Sequence, residues 1–176
     1  ATALIGTAFF LLLAGGSASA TEFVVNSNGD GAPGACDATE CTFREALTAA
    51  NTGGVRDDRI TFSVTGTPAF ISAIGSAFPT IQSAATQGKL TIDGPGAGNL
   101  EIRRSTGFFG ILSTAVNSDV TINGVTISGG FTTGGGGGGI YNRGVMLLDR
   151  VAVLDNTANG GGGINNDSGA NLTVRR

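Results

Sequence analysis

A repeat in the second half of the chain is the feature that most limits its possible folds. Residues 122–127 realign with residues 148–153 at an offset of 26, and apolar residues then meet at three positions. A second step of 26 residues reaches 172–174, and residues 90–94 match 120–124 at an offset of 30. Repeats of this size are supersecondary units that bury their apolar surface by stacking on one another. The sequence therefore predicts a stacked architecture.

Within each repeat, short apolar alternations are broken by Gly, Asn and Asp, which fits one turn of a parallel β-helix. Asn123 and Gly124 interrupt the alternation, as a corner requiring positive φ would. Thr126 is expected to face solvent. The residues predicted to point into the core are Ile122, Val125, Ile127, Leu148, Val151 and Val153. The predicted fold class is an all-β parallel β-helix.

Polar residues also recur at matching positions. Asn142 and Asn166 follow equivalent Gly-Gly-Ile turns, and the 26-residue offset sets Asn123 against Asp149. The Asn pair could line a sugar-binding groove or form a ladder that satisfies stacked turns, and the ladder is favoured. Asn123 and Asp149 are expected to cap turn amides at a corner.

One helix is predicted before the repeats. Thr42 and Glu45 have the spacing of a capping box. Residues 43–50 carry an apolar stripe, and Asn51 followed by Thr-Gly-Gly ends it. A stack of strands exposes apolar residues and unpaired edges at its ends, so this helix is expected to cover the N-terminal one. We therefore expect a cap at residues 21–53 and β-helix coils at 54–176, truncated at the C-terminus.

The first twenty residues resemble a secretory leader. Residues 3–14 are apolar, and Ala18-Ser19-Ala20 has the small-x-small form that signal peptidases cut after. The run is too short to span a bilayer as a helix. We expect an incomplete signal peptide at 1–20, secretion, and no transmembrane helix in the mature chain.

Cys36 and Cys41 are the only cysteines. Behind a leader, an even count favours one local disulfide. Its small ring would stabilise the fold by roughly 2 kcal/mol. The alternative, half of a metal site, lacks partner thiolates and imidazoles in the sequence.

The composition excludes several functional classes. The chain has no histidine, which removes His-dependent triads and His-ligated zinc and haem. Its net charge is −3 with a single lysine, Lys89, whereas nucleic-acid binding requires clustered Lys and Arg. Residues 134–139 satisfy a Gly-x-Gly-x-x-Gly pattern, but a strand follows them instead of the helix that a dinucleotide site requires. We predict no metal, no cofactor and no nucleic-acid partner.

Residues 41–47, Cys-Thr-Phe-Arg-Glu-Ala-Leu, followed by Ala49-Ala50-Asn51, resemble the CSLREA domain of bacterial secreted β-helix proteins. Phe43 and Leu47 replace the Leu and Ile of that pattern. The Gly-Gly-Gly-Ile-Tyr-Asn and Asp-Asn-Thr-Ala-Asn segments resemble polymorphic outer-membrane repeats. The resemblance implies a right-handed, pectate-lyase-like β-helix, exported to or beyond the bacterial cell surface, with no established enzymatic activity.

Charged residues give little support for catalysis. Arg44 and Glu45 could form an acid–base pair, but we favour Glu45 as the helix cap and Arg44 as a partner of Asp57 or Asp58. The helix motif is then structural throughout, and its residues are Thr42, Phe43, Arg44, Glu45, Ala46 and Leu47. Glycan-cleaving relatives of this shape need clustered Asp residues, whereas those of the repeats are scattered singly.

The sequence thus favours a non-enzymatic surface protein, a stalk or an adhesin, that binds glycans or neighbouring cells. Tyr141, Phe131 and Phe108 could offer a sugar-stacking surface, whereas Phe109 is expected in the core. The alternative is a polysaccharide lyase or glycoside hydrolase whose catalytic coil lies beyond residue 176.

Overall fold

The structure, a computed structural model, describes residues 19–31 and 34–176 and is mostly β, with 39% strand and 8% helix. The first part of the predicted leader, residues 1–18, lies outside the described residues. The strands are β1 (Glu22–Val25), β2 (Asp58–Phe62), β3 (Ala69–Ile74), β4 (Leu90–Asp93), β5 (Leu100–Thr106), β6 (Leu112–Ser113), β7 (Asp119–Asn123), β8 (Thr126–Ser128), β9 (Phe131–Thr132), β10 (Ile140–Asn142), β11 (Val145–Asp149), β12 (Ala152–Leu154), β13 (Thr157–Ala158), β14 (Ile164–Asn166) and β15 (Asn171–Arg175). The helices are α1 (Phe43–Ala50) and α2 (Ala84–Gln87).

The strands of the described residues form four sheets, and every pair of neighbouring strands in them is parallel. The largest has the order β1-β2-β4-β7-β11-β15, and a four-stranded sheet has the order β12-β8-β5-β3. A three-stranded sheet joins β14, β10 and β6, and a two-stranded sheet joins β13 and β9. Only α1 lies between β1 and β2 in the sequence, but from β2 onward, neighbours within a sheet are separated by strands of the other sheets, so that part of the chain visits the sheets in turn.

The offsets found in the sequence are the offsets of strand pairing. Ile122 pairs with Leu148 at 26 residues, and Leu90 pairs with Val120 at 30. The pairing aligns one apolar column along the six-stranded sheet, formed by Phe23, Ile60, Ile92, Ile122, Leu148 and Val174. Its four middle members are buried, and they form part of the core between the sheets.

The core residues predicted in and just before β8 and β12 differ in how deeply they are buried. Val125 and Ile127 are fully buried, whereas Val151 and Val153 are partly buried and pack against the core. The expectation that Thr126 faces solvent is wrong, because its side chain is buried. Its hydroxyl donates to the carbonyl of Ala97, in the loop that precedes β5. Gly124, with φ of 54°, forms the predicted corner.

Helix α1 begins after Thr42 and has the capping box that the sequence indicates. Its apolar face is buried, and the ring of Phe43 lies 4.9 Å from that of Phe78 and 5.7 Å from that of Phe62. The helix contacts β1 and β2, the first two strands of the six-stranded sheet. The short helix α2 was not anticipated by the sequence. No helix formed by the described residues is long and apolar enough to cross a membrane.

The predicted disulfide between Cys36 and Cys41 is confirmed. Cys41 is buried, and its carbonyl accepts hydrogen bonds from the amides of Asn26 and Ser27, at 3.0 and 3.2 Å. The disulfide loop is therefore tied to the end of β1 immediately before α1 begins.

Candidate functional site

The candidate site lies on the outer surface of the sheet formed by β6, β10 and β14. Ile140 and Asn142 of β10 are buried, and Tyr141 between them is half-buried because successive side chains of a strand point to opposite faces. Register places Tyr141 between Ser113 on β6 and Asn165 on β14. The result is a row of one aromatic ring flanked by hydrogen-bonding side chains.

Two charged side chains hold Tyr141. Its hydroxyl donates to Oδ2 of Asp167 at 3.0 Å, and this hydrogen bond, with partial desolvation, raises the pKa of Tyr141. The guanidinium of Arg143 lies 5.4 Å from the ring centroid, within the range of a cation–π contact. We refer to Tyr141, Arg143 and Asp167 as the Tyr–Arg–Asp cluster.

The backbone amide and Nε of Arg143 are hydrogen-bonded within the chain, whereas its two terminal nitrogens are open to a ligand. Its Nε donates to the carbonyl of Thr114 at 2.9 Å, and its amide donates to the hydroxyl of the same residue. No acceptor among the described residues forms a hydrogen bond with its two terminal nitrogens. A guanidinium presented in this way can bind a carboxylate through two parallel hydrogen bonds.

Two concavities flank the Tyr–Arg–Asp cluster. One, of about 160 Å³, is lined by Ser113, Thr132 and Tyr141 together with glycine backbone. The other, of about 220 Å³, is lined by the aliphatic side chains of Val116 and Val145 and by polar groups. Those polar groups are Asn117, Arg143, Asp167 and Ser168. Together the concavities offer a ring face, hydroxyl and amide groups and both signs of charge, which are the groups that recognise carbohydrates.

Close packing beside the cluster requires glycine at positions 130 and 138. A Cβ on Gly130 would overlap the carbonyl of Gly138, and one on Gly138 would overlap the carbonyl of Gly162. Backbones at this corner approach too closely for any side chain. The glycines thus make the corner that positions Ile140 and Tyr141, and strand β10 follows them.

Comparison with protein-family models, curated proteins and solved structures finds no match to the chain. The CSLREA resemblance therefore rests on the sequence alone. Among residues 19–31 and 34–176, no three His, Cys, Asp or Glu side chains lie close enough together to hold a metal ion.

The predicted Asn142–Asn166 ladder is joined by a hydrogen bond between the two side chains. Asn142 is completely buried, and its amide nitrogen donates to Oδ1 of Asn166 at 2.7 Å. Thr114 Oγ1 donates to Asn142 Oδ1 at 3.2 Å, so the contact extends one strand further. The column at the other corner aligns Asn123 with Asp149, but the hydrogen bond of Asn123, at 3.4 Å, goes to Asp93 on the preceding strand. The expectation that Asn123 and Asp149 cap turn amides is wrong, because neither side chain accepts a hydrogen bond from a backbone amide of the described residues.

Arg44 and Glu45 do not pair with each other, and each contacts a different part of the structure. Glu45 accepts from the amides of Thr42 and Gly34, at 2.8 and 2.7 Å, and these bonds lower its pKa against the opposing effect of burial. The expectation that Arg44 pairs with Asp57 or Asp58 is wrong. It forms a bidentate pair with Asp30, at 2.7 and 2.9 Å.

The aromatic surface is smaller than the sequence suggested. Phe108 is 79% exposed and meets Phe131 edge to face, with ring centroids 5.5 Å apart, whereas Phe109 is partly buried against the core. Aromatic ring pairs in the described part of the chain do not include Tyr141. Asp167 is one of the Asp residues of the repeats that are scattered singly in the sequence, and neither it nor Arg143 was predicted to belong to a site. The signal that could have found Asp167 was its 26-residue separation from Tyr141, which is the period of the repeat.

Proposed function

We propose that the chain is the capped N-terminal part of an exported right-handed parallel β-helix protein of the bacterial surface, which acts by binding and not by catalysis. In this proposal the cap comprises residues 21–53 and the coils comprise 54–176. The four parallel sheets, visited in turn by the chain, support the coiled path. The contact of α1 with β1 and β2 supports its role as the cap.

The observation that carries the binding function is the Tyr–Arg–Asp cluster between its two concavities. A rigid surface with a ring face and a fixed guanidinium suits a glycan, since sugars present apolar C–H faces and many hydroxyls. Because Arg143 offers two terminal nitrogens to solvent, the favoured ligand is a polysaccharide that carries carboxylates. Such a ligand occurs on cell surfaces and extracellular matrices, which fits a stalk or an adhesin.

A retention experiment tests this proposal. We expect the protein to bind immobilised polygalacturonate and to pass through a neutral glucan of similar chain length. Arg143→Gln should weaken retention on polygalacturonate about tenfold, because a charge-assisted bidentate contact is lost. Arg150→Gln is the matched control, since Arg150 is an exposed arginine at a corner of another sheet.

Two results would contradict the proposal. Equal retention of the Arg143 variant and the native chain would show that the cluster is not the site. Appearance of unsaturated uronate products, when the same sample is incubated with Ca²⁺, would favour the polysaccharide lyase instead.

A further inference from the structure

The carboxylate of Asp58 is the most deeply buried charge at the start of the six-stranded sheet. Its side chain is 2% exposed. Oδ1 accepts two hydrogen bonds, from Nε of Arg56 at 2.7 Å and from the backbone nitrogen of Thr21 at 2.9 Å. Oδ2 has no hydrogen-bond partner among the described residues. A buried carboxylate oxygen without a donor is costly, so this oxygen calls for an explanation.

The donor Thr21 occupies a special place in the sequence. It is the residue that follows the predicted cleavage site, Ala18-Ser19-Ala20, and both Ser19 and Ala20 are exposed. Its carbonyl accepts from the amide of Arg59 at 2.9 Å, so the residue is held at both ends against the start of β2. The position of the Thr21 nitrogen is therefore fixed by the fold.

We propose that Asp58 is the receptor for the α-ammonium group that cleavage after Ala20 creates on Thr21. Hydrolysis breaks the bond between the Ala20 carbonyl carbon and the Thr21 nitrogen. Water supplies the hydroxyl that leaves Ala20 as a carboxylate, and the freed amine takes up a proton to become an ammonium. The backbone amide has one hydrogen to donate, whereas the ammonium has three. The new group can thus serve Oδ1 while presenting further donors and a full positive charge to the carboxylate.

The charges around Asp58 are compatible with a second cation. Arg56 is the one charged side chain of the described residues within salt-bridge distance of it, and it is also held by the carbonyl of Gly53 at 2.7 Å. Asp57 is exposed, and one of its oxygens accepts from the amide of Lys89. The Lys89 ammonium itself lies 3.2 Å from Asp119. Asp57 and Asp58 carry two negative charges here and Arg56 carries one positive charge, so one further positive charge would balance them.

The consequence is a fold that gains stability when its leader is removed. Strand β1 is joined to the rest of its sheet through β2, and the disulfide loop and α1 follow β1 in the chain. An ion pair between Thr21 and Asp58 would hold β1 in register at its first residue. This inference rests on the proposed export with cleavage after Ala20, but its test does not require that cleavage to occur in a cell.

The test compares one chain before and after a single cut. Residues 17–20 are replaced by the recognition tetrapeptide of a protease that cuts after it, so that digestion leaves Thr21 as the first residue. The same cut is made in Asp58→Asn and in the matched control Asp57→Asn. We expect cutting to raise the midpoint of thermal unfolding by about 2–4 °C in the native chain and in the control, and to leave the Asp58 variant unchanged.

A second measurement keeps the proposal testable even if Asp58→Asn fails to fold. In the cut native chain, the pKa of the Thr21 amine should lie above the ordinary range of about 7.7–8.0, because the carboxylate favours the charged form. A pKa within or below that range overturns the proposal, as does a midpoint that does not move in the native chain. The adjoining cavity of about 10 Å³ offers space for a water molecule that could donate to Oδ2 in place of the ammonium. In that case the amine pKa would not rise and the midpoint of unfolding would not move.

Failure here can be told apart from failure of the proposed function. N-terminal sequencing of the exported protein tests whether Thr21 becomes the first residue. Retention on polygalacturonate tests the Tyr–Arg–Asp cluster, which lies on a different sheet.

Discussion

At the start of α1, the carboxylate of Glu45 satisfies several donors at once. It accepts from the amide and hydroxyl of Thr42 and from the amide of Gly34. The Thr42 amide contributes most to lowering its pKa below the ordinary 4.5. A carboxyl whose folded pKa is depressed stabilises the fold above its unfolded pKa, and the stabilisation is lost as the pH falls through the folded pKa.

We therefore predict that Glu45→Gln lowers the free energy of unfolding by about 1–2 kcal/mol at pH 7 and has a smaller effect below pH 4. Urea denaturation at a series of pH values measures this. Glu40→Gln is the control, since Glu40 is exposed and its change should be worth less than about 0.5 kcal/mol. A loss at Glu45 that stays constant from pH 7 to pH 3 would contradict the proposed linkage.

Asn142 is the buried polar residue on which two successive corners depend. Its side chain bonds to Asn166 and Thr114, to the amide of Gly144 at 3.2 Å and to the carbonyl of Asn171 at 3.2 Å. We predict that Asn142→Ala costs about 2–4 kcal/mol, because several buried groups lose their partner together. Chemical denaturation should show Asn159→Ala, an exposed asparagine with one bond to Thr133, to be nearly neutral. Similar losses for the two variants would count against the ladder.

Thr126 shows where reasoning from alternation fails. Val125, Thr126, Ile127 and Ser128 are all buried, so period-two alternation does not describe this segment. The loop before β5 covers Thr126, and the hydroxyl of Ser128 donates to Glu101 at 2.5 Å. The covering groups belong to the preceding repeat, whose corner is longer than that at Gly124. Their presence could not be read from the period alone.

The attachment of α1 depends on an ion pair that links it to two other segments. Asp30 has no exposed side-chain surface and Arg44 is 14% exposed. Arg44 also donates to the carbonyl of Ala77 at 2.7 Å and to that of Ser76 at 3.0 Å. The helix, the preceding loop and the segment after β3 therefore meet at one guanidinium.

We predict that Arg44→Met costs about 3–5 kcal/mol, because it leaves the carboxylate of Asp30 buried without its partner. Thermal and urea unfolding measure the loss. Arg150→Met, at an exposed arginine, is the control. The double variant Arg44→Met with Asp30→Leu should recover part of the lost stability, since no charge is then left unpaired. A loss below about 1 kcal/mol in the single variant would show that the pair does not hold the helix.

The sequence predicts helix α1 but not the contact of its Arg44 with Asp30. The capping box and the apolar stripe of α1 are local patterns, so its bounds followed from residues 42–51. Asp30 lies in a loop without period, and its distance from Arg44 depends on how that loop closes. Asp167 was missed for a similar reason, because it becomes a neighbour of Tyr141 only when the strands of two repeats pair. Arg143 lies two residues from Tyr141 in the sequence, but its fixed position depends on the bond of its Nε to Thr114 on another strand segment.

At the scale of the described molecule, parallel pairing joins each strand of the six-stranded sheet to the strands beside it. The column from Phe23 to Val174 pairs residues that are 26, 30 or 32 positions apart along most of its length. The 26-residue spacing was visible because it recurs in two successive strand pairs, β7 with β11 and β11 with β15. The spacing of 32 between Ile60 and Ile92 was not, because α2 and a longer loop lie between those strands.

The same column provides a comparison within one fold. Ile122 is fully buried between neighbours on β4 and β11, whereas Val174 on β15 is 60% exposed. We predict that Ile122→Ala costs about 2–5 kcal/mol, and that Val174→Ala costs less than about 1 kcal/mol. Urea denaturation measures both, and hydrogen exchange should show more protected amides on β7 than on β15. Since each strand of a stack is stabilised mainly by the strands beside it, equal losses at the two sites would contradict a core organised in columns.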